Sequence, residues 1–184
     1  MILPLFRRSS RPGTISALYG MIVAQARLPS FYLDYGVPDT VNGRFDLIVL
    51  HLAVVLQRLT REDHGFRAFG QRLFDRFCLD MDHNLREMGI GDLSVPREMG
   101  RVGKAYYGRS QTYMAALAAA DDEQLIQALG RNVFGAGGAE PAGARRLAAY
   151  VREAVGGLMR QDTVALIGGA LKFPDPMAIT ASKP

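Results

Sequence analysis

The sequence predicts an all-α protein, a single compact domain of six to seven helices. Apolar residues recur at helical spacing in nearly every segment, and no paired stretches of alternating apolar and polar residues signal strands. Apolar residues make up 48% of the 184 and charged residues 22%, a globular balance in a chain long enough to bury a core without staples. No linker divides the pattern. Residues 14–172 are therefore expected as the helical domain, between a basic N-terminal tail over 1–13 and a C-terminal tail over 173–184.

Thr14 is placed to cap a first helix over residues 14–28, with Leu18, Ile22 and Gln25 on one face and Pro29 as its stop. Residues 29–41 hold two prolines, a glycine and three aromatics, so an irregular loop with no regular helix is expected. Asn42 is the expected cap of the next helix, over residues 42–61. There Phe45, Ile48, Val49, Leu52, Val55, Leu56 and Leu59 fill one arc, while Leu47, Leu50 and Val54 fall outside it. A helix apolar on most sides belongs at the centre of the fold. Arg44, His51 and Arg58 recur on it at seven-residue spacing, which predicts a narrow basic stripe.

Over residues 65–88, Phe66, Phe69, Leu73, Phe74, Phe77, Met81, Leu85 and Met88 share a broad apolar face, and Cys78 lies on that side as an inert thiol. Asp82 and Arg86 are spaced for an ion pair, and Gly89 suits the C′ position. Pro96 opens a helix to about residue 119, with Met99, Val102, Tyr106, Tyr107 and Tyr113 directed inward. Asp121 and Asp122 cap a shorter helix ending at Phe134. A glycine- and alanine-rich connection over 135–143 leads to a helix over 144–160 that buries Leu147, Val151, Ala154 and Leu158. A last short helix over 162–171 precedes a frayed end.

Composition excludes several classes. The 22 basic and 18 acidic residues leave a net charge of +4, interleaved along the chain, which gives weak attraction to anionic surfaces and no DNA-binding face. No charge-free run reaches the ~18 residues of a membrane span. One cysteine excludes a disulfide framework. The apolar start precedes Arg7, Arg8 and Arg11, the wrong order for a secretion signal, so a cytoplasmic location is expected. His51 has Leu47 and Val55 one turn away and so no second metal ligand, and no Glu-x-x-His spacing occurs. In the acidic cluster, Asp80, Asn84 and Glu87 line one edge while Asp82 and His83 face elsewhere. No phosphate-cradling loop or nucleophile elbow is present. A non-enzyme without metal or cofactor is expected. The aromatics of residues 29–41 either pack back against the domain or are presented to a partner.

Several motifs in order complete the reading. They are Leu18-Tyr19-Gly20 with Ile22-Val23-Ala24-Gln25-Ala26-Arg27, Phe31-Tyr32, Gly36-Val37-Pro38-Asp39-Thr40, Gly43-Arg44-Phe45-Asp46 and Leu50-His51, then Asp80-Met81-Asp82, Leu85-Arg86-Glu87-Met88-Gly89, Gly91-Asp92-Leu93 and Tyr106-Tyr107-Gly108-Arg109. Over residues 14–130 the chain resembles the ubiquinol–cytochrome c chaperone family, in its shorter bacterial form. The resemblance implies an all-helical, non-catalytic assembly factor that holds newly made cytochrome b of the bc1 complex, close to the inner membrane. It also brings a small partner protein or the ribosome into view, and a ribosome- or RNA-associated role in cytochrome b synthesis as the second reading. Arg7, Arg8 and Arg11 would add weak peripheral membrane contact. The client- or partner-binding residues expected are Phe31, Tyr32, Tyr35, Val37, Pro38, Asp39, Thr40 and Arg44, with Asp80, Asp82, Arg86, Glu87, Asp92 and Arg109.

Overall fold

One helix of this chain has almost no polar face, and the others are arranged to cover it. The computed structural model describes residues 12–62, 64–119, 121–135 and 141–180. In chain order they form α1 Pro12–Ala26, α2 Pro29–Leu33, α3 Val41–Thr60, α4 His64–Glu87, α5 Val95–Ala118, α6 Glu123–Leu129, α7 Pro141–Arg160 and α8 Thr163–Ala165. α6 and α8 each continue into a π-helical turn, Gly130–Phe134 and Leu166–Ala170, and a 3-10 turn follows at Pro176–Ala178. Among the described residues there is no strand, as the periodicity requires.

Every residue of α3 from Leu47 to Val55 is buried. α1, α4, α5, α7 and the π turn after α6 all pack against it. The amphipathic α4 supplies Phe66, Phe69, Leu73, Phe77 and Met81 to the core, and α5 supplies Tyr106 and Tyr113. Between α4 and α5 the rings of Phe74 and Tyr106 meet at 4.7 Å and those of Phe77 and Tyr106 at 5.9 Å, within the range of favourable aromatic pairing. Two residues expected on these inner faces turn out to solvent: Met88 is 60% exposed and Tyr107 57%. Both lie at the edge of the apolar arc, where the neighbouring helix no longer covers it. Gly89, with φ +84°, ends α4 as expected. The N–H of Ile90 donates to Leu85 O and that of Gly89 to Arg86 O, the two bonds of a Schellman motif.

Several boundaries differ from the sequence expectation, each for a local reason. α1 starts at Pro12, so Thr14 lies inside its first turn rather than at its cap; proline suits that turn because its missing N–H would be unpaired anyway. For the same reason Pro29 stops α1 yet begins α2, so residues 29–33 are a helical turn and not irregular loop. Thr40, not Asn42, caps α3, its Oγ1 accepting from the Gly43 N–H at 3.1 Å. α7 starts at Pro141, which places Gly143 in its first turn. The expected basic stripe is absent. Arg44 is exposed, but His51 is 2% and Arg58 8% exposed, because α7 and α8 cover that half of α3.

The largest difference is at the C-terminal end. Residues 171–180 lie across the domain as a strap, where the sequence predicts a short helix ending at 171 and a C-terminal tail over 173–184. The Phe173 ring meets His51 edge-on at 5.2 Å. Gln25 Nε2 donates to Pro174 O at 3.2 Å, the Tyr35 hydroxyl to Pro176 O at 2.7 Å, and Arg146 Nε to Ile179 O at 3.0 Å. Their partners come from α1, α7 and the turn after α2, elements remote in sequence, and no local pattern announces them. The expected N-terminal basic tail lies largely outside the described residues.

Beneath the strap His51 is wholly enclosed and fully paired. Its Nδ1–H donates to Leu47 O at 2.7 Å, so its Nε2 accepts from the Tyr150 hydroxyl at 2.9 Å. Tyr150 in turn accepts from Gln25 Nε2 at 3.1 Å. Burial pushes the imidazole down from 6.5 to about 4, so the folded protein holds it neutral. Below the ordinary histidine range the unfolded chain takes up a proton that the folded chain refuses. Stability from this group is therefore complete above about pH 6.5 and is lost as pH falls towards about 4. In urea titrations, the stability advantage of wild type over His51→Gln should shrink between about pH 7 and about pH 5. A constant gap across that range would show that His51 is not held neutral by its surroundings.

Candidate functional site

The sharpest break in the molecular surface lies where α2 leads into α3. α2 is a single helical turn, so side chains two residues apart leave it about 200° apart, in nearly opposite directions. Phe31 points inward, fully buried, and packs edge-on against Tyr150 at 4.9 Å and His51 at 5.4 Å. Leu33 points outward and is 81% exposed. Between them Tyr32 is half-buried, its hydroxyl donating to Ala26 O at 3.0 Å. The chain then dives again, with Tyr35 and Val37 each 2% exposed. Phe31, Tyr35 and Val37, expected as partner contacts, are thus core residues. The rings of Phe31 and Tyr35 fill the space above α3 that the strap closes.

The turn into α3 is built by the segment from Pro38 to Arg44. A Cβ on Gly43 would stand 2.0 Å from Pro38 O, a backbone atom that has no room to retreat, so only glycine allows this approach. Thr40 is the cap. Asp39 and Arg44, brought together by that turn, form a two-bonded pair: Nε to Oδ1 at 2.6 Å and Nη2 to Oδ2 at 3.2 Å. The guanidinium holds the Asp39 carboxyl below the usual carboxylate range. These residues line an open groove of about 340 Å³ with Arg27, Pro29, Tyr32 and Leu33. Of the expected site residues the groove gathers Tyr32, Asp39 and Arg44, with Thr40 shaping its end. The residue pattern gives Arg27 no place at a surface site and Pro29 only that of ending α1, since their meeting depends on the angle between α1 and α2.

The remaining expected residues stand elsewhere, each paired with another side chain of the domain. Asp80 of α4 accepts from the Tyr19 hydroxyl of α1 at 2.9 Å; burial, then this carboxylate, push the Tyr19 phenol upward. Arg86 joins Asp82 at 2.7 Å and also bonds Asp92, closing the α4–α5 connection beside Leu93, which is fully exposed. Glu87 lies 3.1 Å from His83. Arg109 of α5 reaches Asp46 of α3 at 2.7 Å and lies over the Phe45 ring. Asp46, 4% exposed, was missed as an individual site residue; its signal was a lone carboxylate in a helix otherwise reading as core. Burial raises Asp46 to about 6, with Arg109 opposing that rise. Among the described residues no three His, Cys, Asp or Glu gather as a metal site, and no helix is long and apolar enough to cross a membrane. What the groove offers is recognition, with an apolar wall beside charged groups.

A family model described as ubiquinol-cytochrome C chaperone matches residues 33–173. The chain is 24% identical over 138 residues to a ubiquinol-cytochrome-c reductase complex assembly factor 1 of Xenopus laevis, covering 75% of this chain and 68% of that protein. It is 24% identical over 136 residues to the mouse assembly factor of that name, covering 74% of this chain and 46% of the relative. The human relative is likewise 24% identical and 46% covered, so the chain spans about half the length of the mouse and human proteins it matches. A crystal structure of a Cbp3 homolog from Brucella abortus superposes with a TM-score of 0.85 at 37% identity, over 98% of this chain and 100% of that one.

Two outcomes follow from the geometry. Gly43→Ala should destabilise the fold by more than about 2 kcal/mol, because the added methyl meets a carbonyl rather than a movable side chain. A thermal melt indistinguishable from wild type would show that the Pro38 turn can move. For Asp46, the raised carboxyl means that the folded state binds a proton the unfolded state has lost, so wild type should gain stability relative to Asp46→Asn as pH falls from about 7 to about 4.5. The opposite slope would mean that Arg109, not burial, dominates at Asp46.

Proposed function

Because the chain belongs to the ubiquinol-cytochrome C chaperone family, we propose that it is an assembly factor of the ubiquinol–cytochrome c reductase complex, with newly made cytochrome b as its client. The observation that carries this reading is the groove at α2 and α3, where Leu33 is held out of the core beside the Asp39–Arg44 pair. An assembly factor needs no reacting groups. It needs a surface that binds mixed apolar and polar segments of a subunit and then lets them go. Membrane-protein segments near the bilayer surface have that mixed character, and an exposed leucine flanked by arginines suits them.

The groove acts on this reading as a transient contact, and the client leaves when its later partners bury the same segment. A ribosome- or RNA-associated role is less well supported. Several exposed arginines are paired with acids on their own surfaces: Arg97 and Arg101 share Glu98, and Arg160 pairs with Glu153. Such pairing weakens the attraction of those arginines for a phosphate backbone.

The test is affinity purification of the tagged chain from cells that make the bc1 complex, with cytochrome b measured by immunoblot. The double variant Leu33→Asp with Arg44→Ala should recover less than about a fifth of the cytochrome b that wild type recovers, because interface anchors dominate binding. Its melting temperature should stay close to that of wild type, since both side chains are largely exposed. Recovery at the wild-type level by a folded double variant would move the client surface elsewhere. Absence of cytochrome b from the wild-type eluate would overturn the proposed client itself.

A further inference from the structure

Within the groove nearly every polar group is already engaged, and the exception determines what it can bind. The Tyr32 hydroxyl is bonded to Ala26 O, and both oxygens of Asp39 are bonded to Arg44. Arg27, at the C-terminal end of α1, is exposed, and among the described residues its guanidinium has no hydrogen bond or ion pair. The walls around it are apolar: Pro29, the Tyr32 ring and Leu33. With Arg27 and Arg44 against Asp39, the groove has two positive charges and one negative, an excess of one.

We propose that this groove binds a peptide segment of the client in which a single carboxylate lies next to an apolar side chain, Arg27 receiving the carboxylate and Pro29, Tyr32 and Leu33 the apolar group. The proposal rests on the client-binding role given above and adds the chemistry of the segment recognised. A planar guanidinium with all its donors available matches a carboxylate. Asp39 sets the upper limit, because its own negative charge repels a second anion arriving at Arg44. A phosphate-rich lipid surface fits less well. Membrane attachment by charge draws on several cations presented together, whereas this groove is concave and carries an excess of one.

The experiment is a peptide array of overlapping dodecamers tiling cytochrome b, each acid-containing peptide accompanied by a copy with Asp and Glu changed to Asn and Gln. The full-length protein is applied as wild type, Arg27→Gln and Arg27→Lys, and hits are measured by fluorescence anisotropy. Peptides with an acid beside Leu, Ile, Val or Phe should bind, and their neutral copies should bind about tenfold more weakly. Arg27→Gln should lose about the same factor toward the acidic peptides while binding the neutral copies as wild type does, and Arg27→Lys should recover part of it. The neutral copies test the wild-type protein directly, so the result does not depend on the folding of any variant. Equal binding of acidic and neutral copies, equal binding by Arg27→Gln, or no peptide binding would each overturn the proposal. Arg27-dependent binding to phosphatidylcholine–phosphatidylglycerol vesicles without peptide binding would assign the groove to a membrane instead. Because the peptides sample many apolar–acidic neighbours, the array reads groove chemistry even if cytochrome b fails to co-purify. Co-purification that persists with acid-indifferent peptides would overturn this inference alone.

Discussion

Burying α3 along most of its length leaves Asp46, His51 and Arg58 no water to turn to, so each must find a partner on a neighbouring element. Asp46 meets Arg109 of α5, and His51 meets Tyr150 of α7. Arg58 donates to Leu158 O at the end of α7 and also bonds Thr163 of α8 and Glu62. Apolar packing alone would tolerate small slides of one helix past another. Buried hydrogen bonds and ion pairs would not, because a displacement of an ångström leaves desolvated groups unpaired. Three polar residues at successive levels of one helix therefore set the positions of the elements around it.

That fixed core explains how an exposed apolar residue can be kept at the groove. Phe31 and Tyr35 are locked into the ring cluster with Tyr150 and His51, and Tyr35 also holds the strap through Pro176 O. The single turn of α2 is thus anchored on its inner side, and its geometry forces Leu33 outward. A leucine on a loose loop would collapse onto nearby apolar surface; here the backbone cannot bring it back. The groove is formed in the chain alone, so a ligand of the proposed kind need not order it first.

The motifs that carried the family resemblance serve mainly to build this frame. Gly43 lets α3 begin against Pro38, Asp39 and Arg44 close the turn, Tyr19 and Asp80 join α1 to α4, and Asp46 and Arg109 join α3 to α5. The chemistry expected of such residue types pointed to a surface, yet several of them are structural ties. Tyr32 and Asp39 are legible as surface candidates because they fall in a short segment too irregular for the core pattern, and Arg44 because it follows that segment directly. Phe31 and Tyr35, in that same segment, were not separable from them by composition. Which aromatic turns inward depends on the phase of the one-turn helix, and that phase follows from what lies beneath it.

The sequence by itself determined the longer helices, the central position of α3, the glycine stop of α4 and the Asp82–Arg86 pair, because periodicity, a C-terminal glycine and i,i+4 spacing are local properties of the chain. Only the tertiary structure decided the rest. His51 and Arg58 share heptad spacing with Arg44, yet α7 and α8 cover them and leave Arg44 in water, so one apparent stripe became two environments. The strap over residues 171–180 has no periodicity of its own; it is ordered by bonds from Gln25, Tyr35 and Arg146. Arg27 and Leu33 become neighbours across a groove only after α1 and α2 meet at their particular angle. Long-range contacts fix these features, and a contact between residues far apart in the chain leaves no mark on the spacing of either.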